Sequence, residues 1–322
     1  MMFAHNNTEV DYFRLAVINA LLAQKHLGLD SSQITIVTDS HSLRYAESTL
    51  GKKIINQAST NIVFVEKDVD FKYKNIRLYK DTSYVSKQLT FYNKDRCDAY
   101  DLSPYDETIL VDCDYLILSD SLNQCWNHNN DLMLNHSFSD VFSERHMEGL
   151  DRVSSMGISM YWATVIYFRK TPFAESFFDI VKHVRDNRDF YQDLYRWKGG
   201  LYRNDYSFSV AAHMMGGFQD CRIPQLPITL YKTFDTDDIH SVCSHNEIIF
   251  YLEKPRSPGD FLLTRWKGVD VHVMNKWAID RVGGQFLEIL AGKKPTTAKK
   301  KTTKKKASKK KTAKKKARKA TS

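Results

Sequence analysis

Most of the motifs that would give this chain a ready identity are missing. Its five cysteines (Cys97, Cys113, Cys125, Cys221 and Cys243) are an odd number with no Cys-x-x-Cys pair. That argues against a disulfide framework or a zinc ribbon and suits a reducing cytosol. No apolar run approaches the roughly 18 residues of a membrane span. The stretch from Met1 to Val10 lacks a basic segment, so a secretory signal is not expected. There is no Gly-x-Gly-x-x-Gly, which disfavours the usual dinucleotide fold. No Walker-type loop supports a phosphotransferase or nucleotidyltransferase reading, although such enzymes also use paired carboxylates. These absences predict a cytoplasmic protein, or a nuclear one in a eukaryotic host.

Acid is missing from one end only. From Lys293 to Ser322 there are 16 Lys and Arg and no Asp or Glu, which leaves 31 basic against 38 acidic residues in 1–292. The net charge of +9 therefore belongs to a tail, and the remainder carries −7. Residues 297–316 repeat as TAKKK, TTKKK, ASKKK and TAKKK. With no large apolar residue such a segment buries too little surface to fold, so 293–322 is expected to be a disordered polycation and 1–292 the folded domain.

Within 1–292, Phe13, Val17, Ala20, Leu21, Gln24 and Leu27 fall at helical spacing before Gly28. Strands are expected over 33–38, ending at Asp39, then at 61–65, 107–111, 160–168, 248–252 and 269–273. Helices are expected from Ser83 to Phe91, from Phe173 to Asn187 behind Pro172, and between Leu201 and Met215. Strands alternating with helices predict an α/β fold with a mainly parallel central sheet flanked by helices.

The most informative stretch is Glu107-Thr-Ile-Leu-Val-Asp-Cys-Asp114. A β-branched run stops at two carboxylates spaced i, i+2, where ligands of open α/β sheets gather. Two hard oxygen ligands there suit Mn²⁺ or Mg²⁺ held against a diphosphate. Far downstream, His272 and Lys276 lie in Asp270-Val-His-Val-Met-Asn-Lys-Trp277. His272 is a candidate third ligand, and Lys276 a candidate cation for a departing phosphate. Upstream, the polar loop holding Asn6 leads through Tyr12 into the first helix, a setting suited to a nucleotide. Asp205, in Arg203-Asn-Asp-Tyr-Ser, either caps a helix or faces a reacting sugar or acceptor hydroxyl.

These residues resemble the nucleotide-sugar glycosyltransferases of the GT-A fold, nearest to family 8, the galactosyltransferase/glycogenin-like group. The resemblance rests on Asn6, Tyr12, Asp112, Asp114, His272, Lys276 and Trp277, in order over about 290 residues. It implies a metal-dependent hexosyltransferase that uses a UDP-sugar donor and acts with retention of configuration. Asn6, Tyr12, Asp39, Lys87, Asp112, Asp114 and Lys276 would bind the donor. Asp112, Asp114 and His272 would hold Mn²⁺ or Mg²⁺, with Asp205 and Lys276 serving catalysis. Departures include Lys276-Trp277 where the family has Lys-Pro-Trp, and Trp162 in an Asn position on the acceptor side. A saccharide or glycan acceptor is expected. The alternative is a nucleic-acid-associated protein bound through 293–322, a tail similar to that of a linker histone. A combined form would be a glycosyltransferase that modifies DNA.

Overall fold

The structure is a computed structural model that describes residues 1–7, 9–66, 76–78, 88–90, 93–142, 145, 152–154, 157–197, 202–219 and 223–294. Lys87 and residues 295–322 lie outside this set.

Continuous buried runs build an α/β core with one sheet at its centre. Its strands are β1 (Met2–Phe3), β2 (Thr35–Thr38), β3 (Asn61–Phe64), β4 (Glu107–Val111), β5 (Leu132–Asn135) and β6 (Trp162–Arg169). β1, β2 and β3 are parallel neighbours, and β6 lies antiparallel between β4 and β5. Met1 joins the two halves. Its ammonium donates to the Ile109 carbonyl at 2.9 Å, and its carbonyl accepts from the Val111 amide at 3.0 Å. That bonding pattern is parallel, so the sheet reads β3-β2-β1-β4-β6-β5.

The strand period of two sends neighbouring side chains to opposite faces. Ile109, Val111, Val165 and Tyr167 pack with α1 (Tyr12–Leu27) and the C-terminal α5 (Lys276–Leu290). Leu110, Ile166 and Phe168 pack instead with α3 (Pro172–Asp186) and α4 (Asn204–Met215). Gly28, at φ 73°, closes α1 in the left-handed conformation that only glycine adopts cheaply. Thr171 caps α3, with Pro172 at its first position.

A three-stranded antiparallel meander follows: β7 (Asp238–Ser244), β8 (Glu247–Glu253) and β9 (Phe261–Lys267). The two-residue β10 (Val271–His272) then runs antiparallel to Tyr115–Leu116. No helix among the described residues is long and apolar enough to cross a membrane.

Most of the expected elements are present, with two differences. Gln88–Thr90 is a strand paired antiparallel with Ile76–Leu78 rather than the end of a helix from Ser83. The strand expected over 269–273 shrinks to Val271–His272, because Asp270 leaves it to bind the turn after Leu116. The Asp270 carboxylate accepts from the amides of Leu118 and Ser119 and from the hydroxyls of Ser119 and Ser121.

Candidate functional site

β4 delivers Asp112 and Asp114 to the end of the sheet, and buried polar contacts fix the turn between them. The Asp112 amide donates to Thr164 O at 2.9 Å, and the Tyr115 amide closes the turn onto Asp112 O at 3.1 Å. Asn19, fully buried on α1, spends its whole amide on this turn. Its Nδ2 donates to the carbonyls of Asp112, Cys113 and Tyr115, and its Oδ1 accepts from the Ile117 amide at 3.1 Å. Carbonyls left unpaired at this depth would each cost about 1–3 kcal/mol.

The register of β10 brings the distant residues in. His272 stands opposite Tyr115, and the Val273 amide donates to Asp114 O at 2.9 Å. His272 Nε2 is then 3.3 Å from Asp114 Oδ1, while Lys276 Nζ, in the first turn of α5, is 2.9 Å from Oδ2. The other imidazole nitrogen, Nδ1, lies 3.3 Å from the Thr164 hydroxyl, which orients the ring. One ligand atom each from Asp112, Asp114 and His272 falls within 4.8 Å of the others. Two carboxylate oxygens and an imidazole suit Mn²⁺ or Mg²⁺ better than a soft metal.

Arg96 is the basic residue that closes on Asp112. It lies on a 3₁₀ turn, Asn93–Asp98, and is 1 % exposed. Its guanidinium pairs with Asp112 Oδ1 and donates to the carbonyls of Ala163 and Thr164. The two acids consequently differ in proton affinity. Burial raises the Asp112 carboxyl, Arg96 opposing and Asp114 adding to the rise. Burial also works against ionisation of Asp114, but Lys276 and His272 outweigh it and hold that carboxyl well below the usual range.

Asp205 sits in the first turn of α4 without capping it, since the cap residue is Arg203. Its carboxylate accepts from the Ala163 amide at 2.9 Å and pairs with Arg203 Nη2 at 2.8 Å. Burial opposes its ionisation, yet Arg203 and the Ala163 amide hold its pKa below normal.

Around this cluster lies a cavity of about 110 Å³, lined also by His5, Asn7, Tyr12, Trp162, Tyr202, Asn204 and Met274. Asp112, Asp114, His272, Lys276, Asp205 and Tyr12 thus come together. Asn6 and Asp39 do not line it. Asn6 donates to Asp11 Oδ1 and accepts from the Phe13 amide, both at 2.8 Å. Asp39 caps α2 (Ser40–Thr49) through the His41 and Ser42 amides and the Ser42 hydroxyl. Arg96, Arg203, Asn19 and Thr164 were not singled out from the sequence. Asn19 alone left a signal there, as a polar residue on the apolar face of a helix.

No family model matches the chain, and no curated protein matches it significantly. Solved structures do. The galactosyltransferase LgtC, in complex with donor and acceptor sugar analogues, is 13% identical over 92% of this chain and 97% of its own, with a TM-score of 0.44. The glycosyltransferase GlyE of Streptococcus pneumoniae TIGR4 is 12% identical over 68% of this chain and 43% of its own, at 0.36. Mouse xyloside xylosyltransferase 1, in its apo form, is 12% identical over 67% and 81%, at 0.37.

Proposed function

We propose that this chain is a GT-A type glycosyltransferase that moves a hexose from a UDP-sugar to an acceptor hydroxyl, a saccharide or glycan. One observation carries the reading: Asp112, Asp114 and His272 converge from distant parts of the sequence at the end of β4, with Lys276 beside them. A divalent cation fits this donor set, held by those three side chains, and when bound it would offset the charge of a diphosphate.

The chain's own residues divide the remaining work. Lys276 lies where it can neutralise charge growing on a UDP leaving group, so it stabilises the transition state more than the intact donor. Arg96 keeps Asp112 oriented from below. The cavity is smaller than the 300 Å³ or more of a full ligand pocket, so the nucleoside and sugar would lie along its rim, by Tyr12, Asn7 and Trp162. Asp205, paired with Arg203 and acidified by it, is a weak base. That favours retention without a strong base, with Asp205 positioning the sugar or acceptor. The test is UDP-sugar hydrolysis, expected to require Mn²⁺ or Mg²⁺ and to collapse in Asp114→Ala. Unchanged turnover in that variant would sink the assignment.

A further inference from the structure

Beyond the cleft, β9 presents an edge that natural sheets usually protect. It pairs with β8 on one side and, among the described residues, with no strand on the other. Phe261, Leu262 and Leu263 are 40 %, 42 % and 62 % exposed, consecutive, and unbroken by charge or proline. The bonds from Gly268 N to Asn246 O and from Lys254 N to Asp260 O show that even-numbered residues of this strand bond to β8. The backbone groups of Phe261, Leu263, Arg265 and Lys267 therefore point outward.

We propose that β9 pairs antiparallel with β9 of a second copy of this chain, about a two-fold axis at Thr264. That register sets Phe261 against the partner's Lys267 and Leu263 against the partner's Arg265. It makes these outward-pointing residues the hydrogen-bonded pairs and leaves Thr264 facing its own copy as a non-hydrogen-bonded pair. Charge runs along the strand in a self-complementary way. Asp260, and Glu253 of β8 beside Phe261, mark one end, and Arg265 and Lys267 the other, so antiparallel pairing brings the acidic end of one copy alongside the basic end of the other, whereas parallel pairing would bring like alongside like. The Lys254–Asp260 pair is exposed and costs little to rearrange, while Arg265 and Lys267 share the largely buried Glu247, which leaves one positive charge in excess at that end.

The same apolar residues beside Arg265 and Lys267 also suit a membrane surface. The open edge favours a second copy, because strand pairing satisfies the row of outward N–H and C=O groups, whereas sinking that edge into lipid would strip them of water.

Sedimentation velocity on the full chain, over a concentration series, should show a reversible monomer–dimer equilibrium. Leu263→Pro removes an outward amide and no bond to β8, so it should be monomeric with an unchanged melting temperature and unchanged donor hydrolysis. Leu263→Lys provides the same test without a backbone constraint. Thr264→Cys should oxidise to a disulfide-linked dimer, since Cα atoms of a non-hydrogen-bonded pair lie about 4.5 Å apart. The parent chain, which keeps the exposed Cys243, is the control and should not cross-link. A monomer at every concentration with no Thr264→Cys cross-link would overturn the proposal. So would dimerisation undiminished in both Leu263 variants, or a monomer that instead co-sediments with anionic phospholipid vesicles.

Discussion

Replacing Lys276 by methionine should tighten cation binding while abolishing turnover, a pair of effects that a merely structural lysine would not produce. In the free protein the Lys276 ammonium is 2.9 Å from Asp114 Oδ2, with side chains 10 % and 5 % exposed. Solvent therefore screens this pair weakly. A cation arriving at Asp114 must compete with that charged hydrogen bond, worth about 1.5–3 kcal/mol. Removing the competitor should return the same amount, a gain of roughly 10–150-fold in Mn²⁺ affinity without donor. The variant without metal should meanwhile lose about 3–5 kcal/mol of stability, because Asp114 keeps its buried charge without its main partner. Mn²⁺ should recover much of that loss by binding the native state. Calorimetric titration with Mn²⁺, thermal melts with and without it, and donor hydrolysis read the three effects. Affinity that is unchanged or weaker in Lys276→Met would refute the reasoning, since Asp114 would then not be the shared ligand of lysine and metal.

Other outcomes follow from the same contacts. Thr164→Val removes the hydroxyl that orients His272, and Mn²⁺ affinity should fall about 10–100-fold with little change in melting temperature. Asp114 has a depressed pKa when folded, so its stabilisation is complete above the unfolded value of about 3.9 and is lost as pH falls through the folded value. The melting-temperature gap between the parent and Asp114→Asn, measured without metal, should narrow as pH falls below about 4. Asn19→Leu strands the Cys113 and Tyr115 carbonyls and the Ile117 amide and should cost at least about 2 kcal/mol in urea unfolding, an outcome refuted by a midpoint near that of the parent. Thr171→Ala, remote from the cleft, should cost about 1 kcal/mol through loss of the α3 cap and leave hydrolysis unchanged.

What the sequence revealed was what local pattern encodes. The run into Asp112 and Asp114 was visible because β-branched residues and a strand-end acid pair are both short-range signals. His272 and Lys276 were visible by residue type, and the register of β10 explains why they meet Asp114. Arg96 was hidden because its reach to Asp112 depends on a 3₁₀ turn packed against α3 and α4, a placement that spacing along the chain does not show. Lys87, the cation that the resemblance implies, lies outside the described residues. Asn6 and Asp39 looked like ligands because polar residues at strand ends often are. Here the backbone amides that follow them take their side-chain oxygens first. The expected helix near Ser83 to Phe91 lost Gln88–Thr90 to strand pairing, a tertiary contact that outweighs local propensity.

The Asn19 amide makes α1 a measuring rod. Tyr12, at the first position of that helix, borders the cleft, and Asn19 grips the carboxylate turn seven residues later. At 1.5 Å per residue the two are set about 10 Å apart along the axis, and neither can shift without the other. Asn19 itself is sealed beneath the turn, so a ligand meets this helix only through Tyr12 and the carboxylates that Asn19 holds in place. If the chain transfers sugar from a nucleotide donor as proposed, a sugar 1-phosphate, which lacks the nucleoside, would leave Tyr12 unengaged, and discrimination among donors would begin with length before any atom of the sugar is recognised.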